Sequence, residues 1–246
     1  MKILIPISKV PDTTSKIAFT DGDTKFSEDG IQWIVNPYDE WFALVRALEI
    51  VEAGGGTVTV INVGDATSEP VIRKALALGA HEAVRIDAND KDSYAVAKEI
   101  ANYAKAQGFD LIMVGKETIS YNGSEVGGMI AEFLGLPFIS LASKLDVNGG
   151  VATLERAIEG GVEVVEVKLP FVASAGKGMA EQRIPNMRGI MAARTKPLTV
   201  LPSSGSEAKT AYVKYGLPAA KSSVKLINPD NMDELVNLLH TEAKVI

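Results

Sequence analysis

The sequence contains no cysteine and only two histidines in 246 residues. Without thiols, disulfides, thiolate zinc sites, Cys-ligated iron–sulfur clusters and a cysteine nucleophile are all excluded. Two imidazoles are too few for a histidine-rich metal site, and neither has neighbours that suit a catalytic triad. His81 follows Leu-Ala-Leu-Gly-Ala at an expected helix end and His240 lies near the end of the last helix, so both read as cations at the negative end of a helix dipole. Basic charge is also in short supply: 25 Lys and Arg stand against 31 Asp and Glu, a net charge of −6. A nucleic-acid partner is set aside, because such proteins cluster cations to displace phosphate counterions. No apolar run approaches the length of a membrane span. The N-terminal MKILIPISKVP is too short in apolar residues for a signal-peptide core and reads as a buried strand. The expectation is a bacterial cytoplasmic or organelle-matrix protein without membrane insertion.

What is present is an ordinary globular composition, 46% hydrophobic and 23% charged. Short runs rich in Ile, Val and Leu at 2–8, 57–63, 83–87, 110–114 and 138–141 alternate with segments of helical periodicity. That alternation predicts an α/β fold: an open, mainly parallel sheet with helices on both faces, of the kind that binds adenine nucleotides. The first helix is expected to start with Asn36 as its cap and Pro37 in its first turn, with Trp41, Leu44, Val45 and Leu48 on one face. Gly79, Gly108 and Gly135 mark the ends of the next three helices. Between the first strand and the first helix, KVPDTTSKIAFTDGDTKFSEDGIQWIVNP is a long excursion whose Asp-Gly turns suggest a hairpin over the sheet.

After residue 142, Asn-Gly-Gly and Glu-Gly-Gly turns between alternating segments predict β-hairpins, with FVASA returning to the main sheet. Residues 176–197 show little apolar periodicity. The organisation expected is therefore a nucleotide-binding domain over 1–201, and a polar, Pro-punctuated C-terminal arm over 202–246 that ends in a capped amphipathic helix. That helix carries Met232, Leu235, Leu238 and Leu239 on one side, and the partner that covers it is this subunit or another.

The stretch DLIMVGKETISYNGSEVGGMIAEFLGLP runs from a strand through a loop of glycines and small polar groups into a helix. In open α/β sheets ligands bind outside the carboxyl ends of the strands. Amides around Asn122, Gly123, Ser124 and Glu125 stand at a helix start, where unpaired N–H groups and about half a unit of positive dipole charge favour a phosphate. Ser124 and Thr118 are candidate hydroxyl donors. The signal is weak by itself, since neither the dinucleotide fingerprint nor the P-loop occurs, and a plain tight turn would use the same glycine. Pro6 to Lys9, Asn36 to Asp39 and Val63 to Asp65 fall at neighbouring strand and helix ends, so they line one crevice with the loop. An adenine nucleotide suits it.

ERAIEGGVEVVEVKLPFVASA is similar to a signature of the β subunits of electron-transferring flavoproteins, here Arg156, Glu159, Gly160, Gly161, Glu163, Leu169 and Pro170. Asn36-Pro37, Ile72 to Ala80, Gly115-Lys116 and EQRIPNMRGIMAARTK (Glu181 to Lys196) extend the resemblance over nearly the whole chain. It implies an electron-carrier subunit with no catalytic side chains and no metal. FAD would be held mainly by an α subunit, and this chain would hold a structural AMP. Carried over position by position, the nucleotide contacts fall at Pro6, Asn36, Pro37, Tyr38, Asp39, Val63, Gly115, Lys116, Thr118, Ser120, Tyr121, Asn122, Gly123, Ser124, Glu125 and Val126. Segment 176–197 matches the family's recognition loop, with Met187 in the position of the apolar anchor and Arg188 and Ile190 beside it. The partners implied are the α subunit, which the arm would pack on, flavin-dependent dehydrogenases such as acyl-CoA dehydrogenase, and a quinone-linked oxidoreductase.

The resemblance also has departures. SYNGSEVGG keeps none of the Asn-Gln-Thr of the common branch and places Tyr121 where an acidic residue is usual, while Thr13 stands where that branch has an aromatic near the flavin. VPDT is similar to the electron-bifurcating branch, in which a second FAD replaces AMP; AMP is ranked first. A stand-alone adenine-nucleotide sensor is the alternative from another class. A metal-dependent hydrolase using Asp12 or Asp39 comes last.

Overall fold

The computed structural model describes residues 1–88, 92–221 and 223–246. They divide into two compact units, residues 1–17 with 27–213 and residues 18–26 with 214–246.

The first unit begins with β1 (Lys2–Pro6) and β2 (Lys9–Pro11). The hairpin β3 (Phe19–Thr20) and β4 (Lys25–Phe26) belongs to the second unit, after which β5 (Trp33–Val35) pairs antiparallel with β2. Strand and helix then alternate: α1 (Asp39–Gly54), β6 (Thr57–Val63), α2 (Glu69–Leu78), β7 (Glu82–Asp87), α3 (Ser93–Gln107), β8 (Leu111–Gly115) and α4 (Val126–Leu134). The antiparallel strands β9 (Phe138–Asn148), β10 (Val151–Ile158) and β11 (Gly161–Lys168) follow, then β12 (Phe171–Ala175), α5 (Met187–Ala193) and β13 (Leu198–Pro202).

The main sheet runs β11-β10-β9-β12-β8-β1-β6-β7-β13. From β9 to β13 neighbours are parallel, and β10 and β11 add an antiparallel edge. The open, mainly parallel α/β architecture with added hairpins is therefore present. Its central strands read as continuous apolar runs because both faces are covered. Ile3 and Ile5 point into one core with Leu44, Leu48, Ile72, Leu76 and Phe171, whereas Leu4 points into the other with Ile61, Ile100, Ile112, Ile130 and Val172. Thus α1 and α2 cover one face, and α3 and α4 the other.

Helix ends follow local chemistry. α3 starts where Asp92 accepts the amide of Ala95 at 2.9 Å, and it stops at Gly108, whose φ of 65° is open to glycine at no steric cost. α1 departs from expectation. Its cap position is Tyr38, with no side-chain cap bond, and Asn36 lies outside the helix with its amide committed elsewhere. Two further elements were not foreseen. α5 forms inside the Gly-punctuated 176–197 segment, capped by Asn186, which accepts the Gly189 amide at 2.8 Å. β13 then adds to β7 as a parallel edge strand.

A strap over residues 203–210 is fastened to α3. Glu99 accepts from the Ser203 and Ser204 hydroxyls and from the Ser204 and Ser206 amides at 2.8–3.0 Å, and Asp92 takes both the amide and the hydroxyl of Thr210. In the second unit, the Phe19 and Tyr215 rings stack at 5.0 Å and the Tyr215 amide donates to the Asp23 carbonyl at 2.8 Å. α6 (Met232–Leu238), capped by Asn231, has no buried residue and leaves Met232, Leu235 and Val236 exposed.

Candidate functional site

Sheet order decides where a crevice opens. From β1 the chain winds through α1 to β6 and through α2 to β7, then α3 carries it back to β8 on the other side of β1. Connections leave β1 and β8 toward opposite faces, and this reversal is the place where doubly wound sheets bind ligands at the strands' carboxyl ends. Pro6 ends β1 and Gly115 ends β8, one on each side of it. Val63 ends β6 next door. Asn62 ties that end to β1 by donating its Nδ2 to the Ile7 carbonyl at 2.9 Å.

The 116–125 loop is held over this point by Asn36. Its side chain is buried, donates from Nδ2 to the Glu117 carbonyl and accepts the Ile119 amide at Oδ1, both at 2.9 Å. This explains the departure at the start of α1: the amide that would cap the helix instead joins two loops. Within the loop, Lys116 pairs with Glu117 at 2.9 Å, the Ser124 hydroxyl donates to Glu117 at 3.1 Å, and the Asn122 amide donates to the Thr118 carbonyl at 2.9 Å. Of the four amides expected at the helix start, Asn122's is thus engaged. Those of Gly123, Ser124 and Glu125 have no partner among the described residues.

Backbone geometry here is unusual. Tyr38, Asn122 and Ser124 all have positive φ, at 66°, 49° and 53°. Non-glycine residues in that region cost on the order of 1 kcal/mol each and persist where the surroundings over-determine them. At Gly115 the constraint is approach rather than φ: an added Cβ would lie 2.7 Å from Glu40 Cγ and 2.8 Å from the Glu40 amide nitrogen. Only glycine lets the end of β8 pass so close to the start of α1.

Glu40 is the residue that sequence reasoning missed. It is 5% exposed and receives the Ser8 amide and hydroxyl at 2.6 Å each. Burial pushes its carboxyl up to about 8, against the pull of the Ser8 hydrogen bonds and with the neighbouring Asp39 charge adding to the rise. Burial also raises Asp39, although Lys116 opposes it. Glu117 is held low by its bond to Lys116. With its carboxyl near 8, Glu40 adds little negative charge at neutral pH, which reduces repulsion of an anion here. A signal for Glu40 was available: it lies three and four residues before Ala43 and Leu44, on the buried stripe of α1.

These features fit a nucleotide. Small residues and open amides stand at a helix start, and the buried Asn62 Oδ1 beside Val63 has no hydrogen-bond partner among the described residues. The structure brings together Asn36, Asp39, Gly115, Lys116, Thr118, Asn122 and Ser124 by the contacts above, with Pro6 and Val63 at the adjoining strand ends. Pro37 and Tyr38 connect Asn36 to α1, Ser120 and Tyr121 occupy the loop's exposed turn, and Gly123, Glu125 and Val126 lead into α4. Met187, Arg188 and Ile190 lie apart from this group on α5; Met187 is 74% exposed. Among the described residues no group of His, Asp or Glu is arranged to hold a metal, and no helix is long and apolar enough to cross a membrane.

The family model for the electron transfer flavoprotein domain matches residues 23–205. The chain belongs to the electron transfer flavoprotein family. It is 36% identical to the electron transfer flavoprotein subunit beta of Bacillus subtilis (strain 168), over the whole of both chains. The subunit beta of Syntrophomonas wolfei is 34% identical over 91% of this chain and 88% of that protein, and that of Bradyrhizobium diazoefficiens is 30% identical over the whole of both. The signature residues that suggested the family have a structural role. Arg156 on β10 pairs with Glu163 directly across on β11, and Gly160, with φ of 80°, makes the turn between them.

The Asp-Gly-Asp-Thr element that a resemblance to the bifurcating branch calls for is present in the long excursion, as Asp21-Gly22-Asp23-Thr24. It forms the turn between β3 and β4, with Asp21, Gly22 and Asp23 all at positive φ.

Proposed function

We propose that this chain is the β subunit of a heterodimeric electron-transferring flavoprotein. It would carry electrons from flavin dehydrogenases to a quinone-linked acceptor, with FAD held mainly by the α subunit and an adenine nucleotide held in the crevice between β1 and β8. The bound FAD supplies the redox chemistry. This chain's residues grip, orient and shield: amides of Gly123 to Glu125 receive the phosphate, Asn36 holds the loop in place, and Gly115 admits the close approach of α1. AMP, the occupant that the resemblance to the common branch implies, is the first candidate. The observation that carries the reading is the Asn36 bridge, which fixes a loop with open amides over the topological reversal. Met187, standing out from α5, is assigned the docking contact with the dehydrogenase, and residues 202–246 the embrace of the α subunit. A cytoplasmic or organelle-matrix setting goes with that role.

A second reading, a bifurcating-type β subunit with FAD in place of AMP, is favoured by Val10-Pro11-Asp12-Thr13 together with Asp21 to Thr24. Release of the bound nucleotide from the purified heterodimer by denaturation, followed by mass measurement, separates the two. One FAD and one AMP per heterodimer supports the first, and two FAD supports the second. A chain that never recruits a flavoprotein and exchanges AMP or ATP freely as a monomer would instead be a stand-alone sensor.

A further inference from the structure

We infer that Gly189 is a positioning residue: it seats α5 on α2 and thereby fixes how Met187 is presented to a flavin dehydrogenase, an inference that rests on the docking role given to Met187 above. A Cβ at Gly189 would lie 2.3 Å from the carbonyl oxygen of Ala77 on α2. Its backbone is not in the left-handed region, so close approach and not φ requires the glycine. The seam is fastened from both sides. Arg73 of α2 donates from one nitrogen to the carbonyls of Ala193 and Lys196, both at 2.8 Å, and Lys196 returns its ammonium to the carbonyls of Leu76 and Ala80 at 2.9 and 2.6 Å.

A helix of seven residues has little stability of its own, so these contacts set its orientation. Ala193 turns inward and is 3% exposed, whereas Met187 and Met191 face out at 74% and 56%. The methyl of an alanine at 189 meets backbone on α2, away from the outward side chains. Gly189→Ala therefore shifts the docking face without deleting any part of it.

The test uses the intact heterodimer in dehydrogenase-coupled flavin reduction, with nucleotide content and thermal midpoint measured alongside. Gly189→Ala is expected to raise the KM for the flavoprotein about tenfold, as loss of an interface anchor does, with nucleotide content unchanged. Combined with Met187→Ala it should add little to the larger single effect, because a displaced anchor has little left to lose. Lys196→Met, which removes two hydrogen bonds without adding bulk at the seam, carries the same expectation and serves if Gly189→Ala folds poorly. A wild-type KM in both seam variants beside a raised KM in Met187→Ala overturns the seating alone, as does full additivity of the double variant. A silent Met187→Ala removes the docking role and this inference with it.

Discussion

The carboxyl group of Glu40 meets Ser8 twice, receiving its amide at one oxygen and its hydroxyl at the other, both at 2.6 Å. Burial holds the group near 8 in the folded protein, against 4.5 for an ordinary glutamate. The native state therefore binds the extra proton between those two values, and stability should fall as pH rises from about 4.5 to about 8, then level off. Glu40→Gln removes the titration. Urea unfolding at pH 5 and pH 9 should show the wild type losing on the order of 4 kcal/mol more than the variant across that range. Parallel losses would remove Glu40 from the account.

Nucleotide retention should follow the same proton. Ionising Glu40 adds negative charge at the crevice, so the heterodimer is expected to release its nucleotide faster at pH 9 than at pH 7, and Glu40→Gln should blunt the difference. Filtration followed by quantification of free nucleotide reads this directly.

Gly123→Val and Gly115→Ala test the crevice from its two sides. A Cβ at Gly123 would lie 2.9 Å from the Tyr121 ring and 3.1 Å from a Glu125 oxygen, and the valine branches would block backbone approach to a phosphate. At Gly115 the added methyl would push β8 away from α1. Both variants should purify with roughly a tenth of the wild-type nucleotide or less, the order of loss expected when about 1.4 kcal/mol of binding is removed. Full occupancy in Gly123→Val would count against the placement of the phosphate.

The strap on α3 responds to acid in the opposite sense to Glu40. For Glu99 and Asp92, burial pushes upward but is outweighed by hydrogen bonds, to Ser203, Ser204 and Ser206 for the first and chiefly to Thr210 and Ala95 for the second, which bring both to about 2. Their folded values lie below the unfolded ones, so the stability they contribute is present above about pH 4.5 and is lost as pH falls toward 2. Glu99→Ala leaves the buried Ser206 amide without an acceptor and should cost about 2–3 kcal/mol near neutral pH. Limited proteolysis within 203–210 should accelerate in the variant; unchanged cleavage would show that the strap is held by other means.

Much of the fold was legible because burial on both faces writes itself into the sequence as uninterrupted Ile, Val and Leu, and because Gly79, Gly108 and Gly135 mark helix ends. Family membership was legible in a run whose Arg156 and Glu163 meet across a hairpin. What stayed hidden depended on distant partners. Asn36 looks like a helix cap in its local context, and only a loop some eighty residues away reveals its use. Glu40 sits in a first helical turn, where acids ordinarily complement the dipole in water. α5 has no periodicity of its own to detect, since Arg73, Lys196 and the Ala77 seam supply what its length lacks.

The central position of β12 bears on the order of assembly during synthesis. β12 lies between β8 and β9, yet the ribosome delivers it only after β9, β10 and β11 have been made. The Lys116 amide that begins the crevice loop is pinned by the Ala175 carbonyl on β12 at 2.9 Å. A nascent chain thus carries every strand-end residue of the crevice, and the Asn36 bridge, before β12 arrives to pin Lys116. Long-range parallel pairing of this kind is slow, so the Lys116 end of the loop is fastened late in assembly.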